Sequence, residues 1–305
     1  MQTWQESLST FILFKRAEGR SHYTVRDYRR IVGAFFRRPE AQSAWPDADR
    51  LRRAVLQHFT DIRGLAASYH NQQLRVLRSF FNWAADEGLV SGNPTKGIKQ
   101  RREDQTPRHL PDDILSKLLR LPNQSAFVGV RDFALMLFQL DSGVRPGEAL
   151  QLTPRDLNLA SLEITIPAHV AKARVSRTVV ISPQTAKAIR KLLSVRPADW
   201  DDSVPVFASA SGRKLAEESW SRIMRQYGRK LGARVTPYML RHSSAIMFLR
   251  SGGHVFALQR QLGHADITMT RRYIALADAD LHEQHAVASP VSRLLPQRTR
   301  ARKVK

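Results

Sequence analysis

Residues 161–181, SLEITIPAHVAKARVSRTVVI, decide the fold class. Two runs rich in Ile, Val and Thr flank a stretch with Pro167 and mixed polar residues, the pattern of a short antiparallel pair joined by a turn. Everything on either side reads as helix. Downstream, SPQTAKAIRKLL (182–193), AEESWSRIMRQYGRKLG (216–232), TPYMLRHSSAIMFLRSGG (236–253), FALQRQLGH (256–264) and DITMTRRYIALA (266–277) carry helical spacing. Upstream, PDDILSKLLRLP (111–122) starts with a plausible cap, and VRDFALMLFQLDSG (130–143) is a more apolar helix ending at Gly143. The expectation is a mainly α chain with one small antiparallel sheet.

Further upstream the character changes twice. Residues 87–111, EGLVSGNPTKGIKQRREDQTPRHLP, combine Gly, Pro and basic residues with little apolar periodicity, which reads as a phosphate-contacting linker. Lys96, Lys99, Arg101 and Arg102 are its candidate contacts to a phosphate backbone. Before it, helices are expected near 3–18, 23–37, 49–62 and 68–86, the last showing Leu74, Leu77, Phe81 and Ala84 on one face. Tyr28, Phe35, Phe80, Phe81 and Trp83 read as core. The organisation expected is a helical domain at 1–90, a basic linker at 91–108, a mostly helical domain with the small sheet at 109–281 and a basic tail at 282–305. HEQH at 282–285 lacks the spacing of a zinc protease and reads as a solvent-facing helix.

The chain has 49 Lys and Arg against 27 Asp and Glu in 305 residues, a net charge of +22, which favours a polyanionic partner. The charge is spread along the chain and not gathered on one amphipathic helix, so nucleic acid is favoured over a membrane surface. The absence of cysteine excludes disulfides and thiolate metal sites. MQTWQESLST lacks the basic and apolar regions of a signal peptide, and FALMLFQL is too short to span a bilayer, so a cytoplasmic location is expected. No phosphate-loop motif and no acidic cluster for two-metal chemistry is present, and neither cofactor nor metal is expected.

Four polar residues fall at junctions within the C-terminal half. Arg145, in SGVRPGEAL, precedes a proline suited to a helix start, and Glu148 stands one turn on, placed to hold its guanidinium. Arg241, in TPYMLRHS, offers a planar fork to two phosphate oxygens, with Tyr238 one turn earlier on the same side. His242 is expected to point elsewhere, as a packed or surface histidine. His264 closes QLGH, and Tyr273 follows nine residues later in a helix opening near Asp266. A tyrosine ionises only near pH ~10 unless cations or a proton acceptor intervene, and Arg145, Arg241 and Arg271 or Arg272 are candidate cations. A nucleophile among cations and hydrogen-bond donors is what phosphoryl transfer without a metal requires.

In this order and spacing, RPGEALQL, LRHS, LGH and RY resemble the tyrosine recombinase (phage integrase) family over roughly residues 107–280. The helical N-terminal part, with SHYTVRDYRR at 21–30, resembles the family's SAM-like core-binding domain, and the resemblance implies that 1–90 is the DNA-binding domain, 109–281 the catalytic domain and 282–305 a partner-docking tail. The resemblance implies a site-specific recombinase for integration, excision or transposition of DNA. Tyr273 would form a 3′-phosphotyrosyl link, Arg145, Arg241 and His264 would bind the transition-state oxygens, and Lys172 would protonate the leaving 5′ oxygen. It also implies a homotetramer on double-stranded DNA, or an assembly with sister recombinases, in which residues 277–290 dock on a neighbour. The family usually has His where this chain has Tyr238, which can donate a hydrogen bond but is no imidazole-like base. The competing expectations are a DNA-binding accessory protein of the same fold without turnover, and an enzyme like a telomere resolvase or a type IB topoisomerase.

Overall fold

In the computed structural model the described residues are 2–104, 106–277, 289 and 291, and they fall into two compact units divided in the chain after Asp104. The expected tail at 282–305 and the docking segment at 277–290 fall almost entirely outside the described residues, and the HEQH segment does so completely.

The first unit is helical: α1 (Trp4–Ala17), α2 (His22–Phe36), α3 (Pro39–Ala44), α4 (Ala48–Asp61) and α5 (Ala67–Asp86). The sequence sets the starts. Thr3 and Glu6 form a reciprocal capping box on α1, Ser21 caps α2 through the Thr24 amide, and Asp47 accepts from the Asp49 and Arg50 amides at the head of α4. Short α3 was not anticipated; Pro39 sits at its first turn, where a missing N–H costs nothing. On α5, Leu74, Leu77, Phe81 and Ala84 are fully buried, as their spacing requires. Around them Phe11, Phe35, Phe36, Phe80 and Trp83 meet mostly edge-on or tilted, arrangements favoured by the ring quadrupole.

The expected linker is divided by the fold, because residues up to Asp104 belong to the first unit. Val90 is buried in its core, and Arg78 and Arg52 donate to the carbonyls of Ile98 and Pro94 (2.5 and 2.7 Å). Asn71 exchanges two hydrogen bonds with the Arg101 backbone, both 2.8 Å. The Arg101 guanidinium is itself engaged, donating to the Arg63 carbonyl at 2.7 Å. Lys96, Lys99 and Arg102 are exposed.

The second unit comprises α6 (Asp112–Arg120), α7 (Phe127–Ser142), α8 (Pro146–Ala149), a 3-10 turn at Pro154–Asp156, strands β1 (Leu157–Asn158), β2 (Glu163–Ile166) and β3 (Arg177–Val180), then α9 (Pro183–Ser194), α10 (Glu217–Lys230), α11 (Pro237–Arg250), α12 (Val255–Leu262) and α13 (Thr268–Ala277). The strands make one antiparallel sheet in chain order, with Ile164 opposite Val179 and Ile166 opposite Arg177; two-residue β1 extends the expected pair to three. The sheet turns Ile164, Ile166 and Val179 inward. Buried α7 packs against α9 and α11, and the Trp220 indole donates to Gln139 on α7 at 2.7 Å. Gly143 ends α7 at φ +63°, where an added Cβ would lie 2.5 Å from Leu262, so this turn needs glycine both for its left-handed backbone and for the approach of α12. Among the described residues no helix is long and apolar enough to cross a membrane.

Candidate active site

The tight turn after α7 presents Arg145 as the residue that opens α8. Its guanidinium donates to Glu148 Oε1 at 3.1 Å and its amide to Glu148 Oε2 at 3.3 Å. Glu148 is 2% exposed and does more than hold Arg145: Oε2 accepts from Arg177 Nη2 at 2.6 Å and Oε1 from the Lys172 amide at 3.1 Å. One carboxylate thus ties α8 to strand β3 and to the turn that carries Lys172. Burial alone would raise the Glu148 pKa; the hydrogen bond and charge of Arg177, then the Lys172 amide and Arg145, outweigh it and hold it below the usual value. Lys172 itself is exposed.

Arg241 comes from the second turn of α11 and is 3% exposed. It donates to the Gly143 carbonyl at 2.5 Å and the Leu262 carbonyl at 3.0 Å, and Nη2 lies 2.9 Å from His264 Nε2. Burial first, then nearby Arg145, lowers its pKa to about 10, which leaves it charged at neutral pH. His264 follows Gly263, whose left-handed φ of +64° closes α12, and its Nδ1 lies 2.9 Å from Thr270 Oγ1. A guanidinium has only donors, so Nε2 accepts from Arg241 and the ring proton sits on Nδ1, toward Thr270. Burial and the charge of Arg241 depress the His264 pKa to about 3, so the ring is neutral.

Tyr273, on α13, lies flat against His264, with ring planes 8° apart and centroids at 6.3 Å. It is 4% exposed. Burial raises its pKa, and Arg241, Arg145 and Arg272 oppose that rise without cancelling it, so the phenol keeps its proton at neutral pH. Arg272, one of the two neighbouring arginines, is among the cations that act on Tyr273. Tyr238, in the first turn of α11, is half exposed; burial and then the charge of Glu217 raise its pKa, against the pull of Arg241 and Arg145.

Two residues of this cluster escaped the sequence reading. Arg177 is held beside the site by Glu148, and its signal lay in the strand alternation: 177 shares the inward face of β3 with fully buried Val179, and a charged residue on a core face demands a partner. His242 does not point away as expected. Its Nδ1 lies 2.9 Å from the Tyr273 hydroxyl. Neighbours on a helix diverge by roughly 100°, but α13 and α12 both pack on α11, so Arg241 and His242 reach the two ends of one His264–Tyr273 stack. The DNA-backbone candidates Lys96, Lys99, Arg101 and Arg102 belong to the first unit and are not among the residues that converge here.

The proteins this chain is similar to are named as recombinases and integrases. The Phage integrase family model matches residues 108–280. Tyrosine recombinase XerC of Vibrio vulnificus (strain YJ016) is 30% identical over 298 residues, covering 95% of this chain and 92% of that protein. Tyrosine recombinase XerC of Pelobacter propionicus is 30% identical over 303 residues, covering 96% and 98%. Among solved structures, a Tn1549 transposon integrase in complex with a circular intermediate DNA superposes with a TM-score of 0.70 at 18% identity, covering 92% of this chain and 98% of that one. A lambda integrase dimer bound to a COC′ core site gives 0.70 at 19% identity, covering 89% and 77%. The family model spans more than half of the chain and the XerC relatives nearly all of it, so the chain belongs to the phage integrase family and is a tyrosine recombinase.

Proposed function

We propose that this recombinase cuts and rejoins double-stranded DNA at specific sites through a 3′-phosphotyrosyl intermediate, without metal or ATP. The observation that carries the reading is the convergence of Arg145, Arg241 and His264 on Tyr273 within one buried cluster. Tyr273 Oη attacks the scissile phosphorus, the 5′ oxygen leaves, and the ester retains the energy needed for rejoining. Arg145 and Arg241 are permanent donors for the non-bridging oxygens, whose charge grows as the fifth ligand joins phosphorus. His264 adds a donor once Arg241 turns to phosphate and its own proton moves to Nε2. Lys172, on an exposed turn held at its root by Glu148, protonates the leaving oxygen, and Tyr238 offers a neutral hydroxyl donor in place of the family's usual histidine.

The net charge of +22 supports a phosphate-dominated DNA interface in which Lys96, Lys99, Arg101 and Arg102 belong to the binding surface. The named relatives also include a XerH recombinase bound to a palindromic difH substrate, with a TM-score of 0.67 at 21% identity, covering 90% of this chain and 82% of that one. The working form proposed, on the resemblance to the family alone, is a homotetramer, or a mixed assembly with a sister recombinase, on paired DNA sites. An accessory DNA-binding role without turnover is less well supported, since binding alone would not require a tyrosine buried between two arginines.

The test uses wild-type and Tyr273→Phe protein in EDTA with labelled duplexes from the DNA flanking the gene, nicked near the scissile position. Wild type is expected to give a band that survives denaturant, disappears with protease and is absent from the mutant, while native binding is equal. Tight binding with no covalent band from wild type at any site would overturn the enzymatic mechanism and favour the accessory role.

A further inference from the structure

We infer that His242 is the proton acceptor for Tyr273: its Nδ1 holds the hydroxyl proton in the resting site and takes it as the Oη–P bond forms. This rests on the phosphotyrosyl reading above and adds a residue to it.

The phenol needs an acceptor, because burial keeps its proton on despite Arg241, Arg145 and Arg272 nearby. Of the polar atoms around it, the cationic guanidinium groups can only donate. His264 lies against the ring face, with Nδ1 directed to Thr270 and Nε2 to Arg241, so both of its nitrogens are engaged elsewhere. Tyr238, at the position where the family usually has a histidine, is a neutral phenol and no base. His242 Nδ1, 2.9 Å from Oη, is the nitrogen left with an available lone pair. The rings are tilted by 42° with centroids 5.8 Å apart, so the imidazole approaches the hydroxyl end of the ring instead of stacking on it.

Two further features suit the role. Burial, followed by the charges of Arg241 and His109, lowers the His242 pKa to about 4 and keeps the ring neutral before reaction. With its proton on Nε2, it accepts from Tyr273. A scissile phosphate would then bring negative charge beside Arg241, removing part of the repulsion that opposes an imidazolium and raising the basicity of His242 as the transition state forms. In balance, the Oη proton passes to Nδ1, the Oη–P bond forms, the P–O5′ bond breaks, and O5′ takes a proton from Lys172. The products are the phosphotyrosyl ester, a 5′-hydroxyl, an imidazolium and a neutral amine. Rejoining reverses each transfer.

The experiment compares wild type, Tyr273→Phe, His242→Ala and His242→Asn in single-turnover formation of the covalent complex on a nicked duplex, with native binding measured on the same samples. His242→Ala should bind within about twofold of wild type and form the covalent complex at least ~100-fold more slowly, the usual scale of a lost general base. Added free imidazole should restore at least ~tenfold of that rate. His242→Asn keeps a hydrogen-bond acceptor near the Nδ1 position but cannot take the proton, so it should remain slow. It also tests the inference should the alanine variant fail to fold. A loss below ~tenfold in either folded variant, with wild type active, would overturn the role of His242 while leaving the phosphotyrosyl reading intact. Absence of the covalent complex from wild type would instead remove the reading on which the inference rests.

Discussion

The first unit fills its centre with Phe11, Phe35, Phe36, Phe80 and Phe81, whereas the second runs Arg131, Asp132, Glu148, Arg241 and His264 through its interior. Most buried polar groups in each find a partner, the exceptions being Trp4 Nε1 and His58 Nε2 in the first and Gln139 Nε2 and Arg177 Nε in the second among the described residues, but the two units use their polar side chains differently. In the first, polar side chains serve local structure: Asp47 and Ser21 cap helices, and Asn71 fixes the backbone near Arg101. In the second, charges are buried against one another. Arg131 pairs with Asp132 at 2.7 Å, and Asp132 also accepts from the Tyr227 hydroxyl at 2.9 Å. Glu148 joins Arg145 to Arg177. Such pairs contribute little net stability, because desolvation offsets attraction, but they fix guanidinium groups in one geometry. A site built to receive a phosphate gains from that fixity, since its donors need little reorganisation when charge develops.

Substitutions at the two centres should break the comparison most sharply. Phe80→Ala removes a fully buried ring from the aromatic cluster and should cost about 3–5 kcal/mol in the first unit. Glu148→Ala leaves two guanidinium groups without their shared carboxylate and should cost a similar ~3–5 kcal/mol in the second. Denaturant unfolding followed by tryptophan fluorescence should find both losses. Only Glu148→Ala should also slow covalent-complex formation, by at least ~100-fold, because it frees Arg145 and the Lys172 turn. Cleavage at the wild-type rate in folded Glu148→Ala protein would mean that the carboxylate organises nothing the reaction uses.

This difference also governs how much could be read from the chain. The α5 stripe of Leu74, Leu77, Phe81 and Ala84 is a purely local pattern, and it is buried as its spacing demands. The strand pair at 163–166 and 177–180 was legible from β-branched residues around a turn; β1, two residues long, was not, because so short a strand exists only through pairing with β2. The short helix α3 and the packing of residues 91–104 onto the first unit were equally hidden, since tertiary contacts decide both. At the site, Arg145, Glu148, Arg241, His264 and Tyr273 stand out through junction residues and motif spacing. His242 could not be assigned from spacing, because its direction depends on where α13 packs against α11, a long-range matter on which helix periodicity is silent. Arg177 is legible from strand alternation alone, since it shares the inward face of β3 with Val179.

A smaller effect separates two left-handed glycines. Gly88 has φ +68° with open space where a Cβ would go, so Gly88→Ala should cost only the backbone strain, roughly 1–2 kcal/mol, and leave the covalent step unchanged. Gly263, which immediately precedes His264, has φ +64°, and a Cβ there would lie 2.6 Å from Arg177 Nε. Gly263→Ala should therefore carry the same strain and also displace Arg177 or His264, lowering the rate of covalent-complex formation by about tenfold. Thermal melting and single-turnover cleavage on both variants separate the two components. Equal cleavage rates would show that the α12 turn has slack not apparent in its packing.

Acid should produce the smallest change in the first unit, where it acts through His58, while in the second unit groups of both signs respond. In the first unit burial, with Arg38 beside it, lowers the His58 pKa from 6.5 to about 4. Below pH 6.5 the unfolded chain takes up a proton that the folded unit refuses until about pH 4, so the stability contributed by neutral His58 is complete above 6.5 and declines through that window. At pH 5.5 the loss should be about 1–1.5 kcal/mol. In the second unit His264 and His242 have the same sign, but Asp132, whose pKa burial raises, acts the other way, because its folded form binds a proton more readily than the unfolded chain. Unfolding curves at pH 7.5 and 5.5 should therefore show a loss in the first unit that His58→Gln removes, since glutamine does not titrate. If that variant loses as much stability over the interval as wild type, the acid response originates outside His58, and the first unit's polar interior is not the titrationally simple one that its aromatic packing implies.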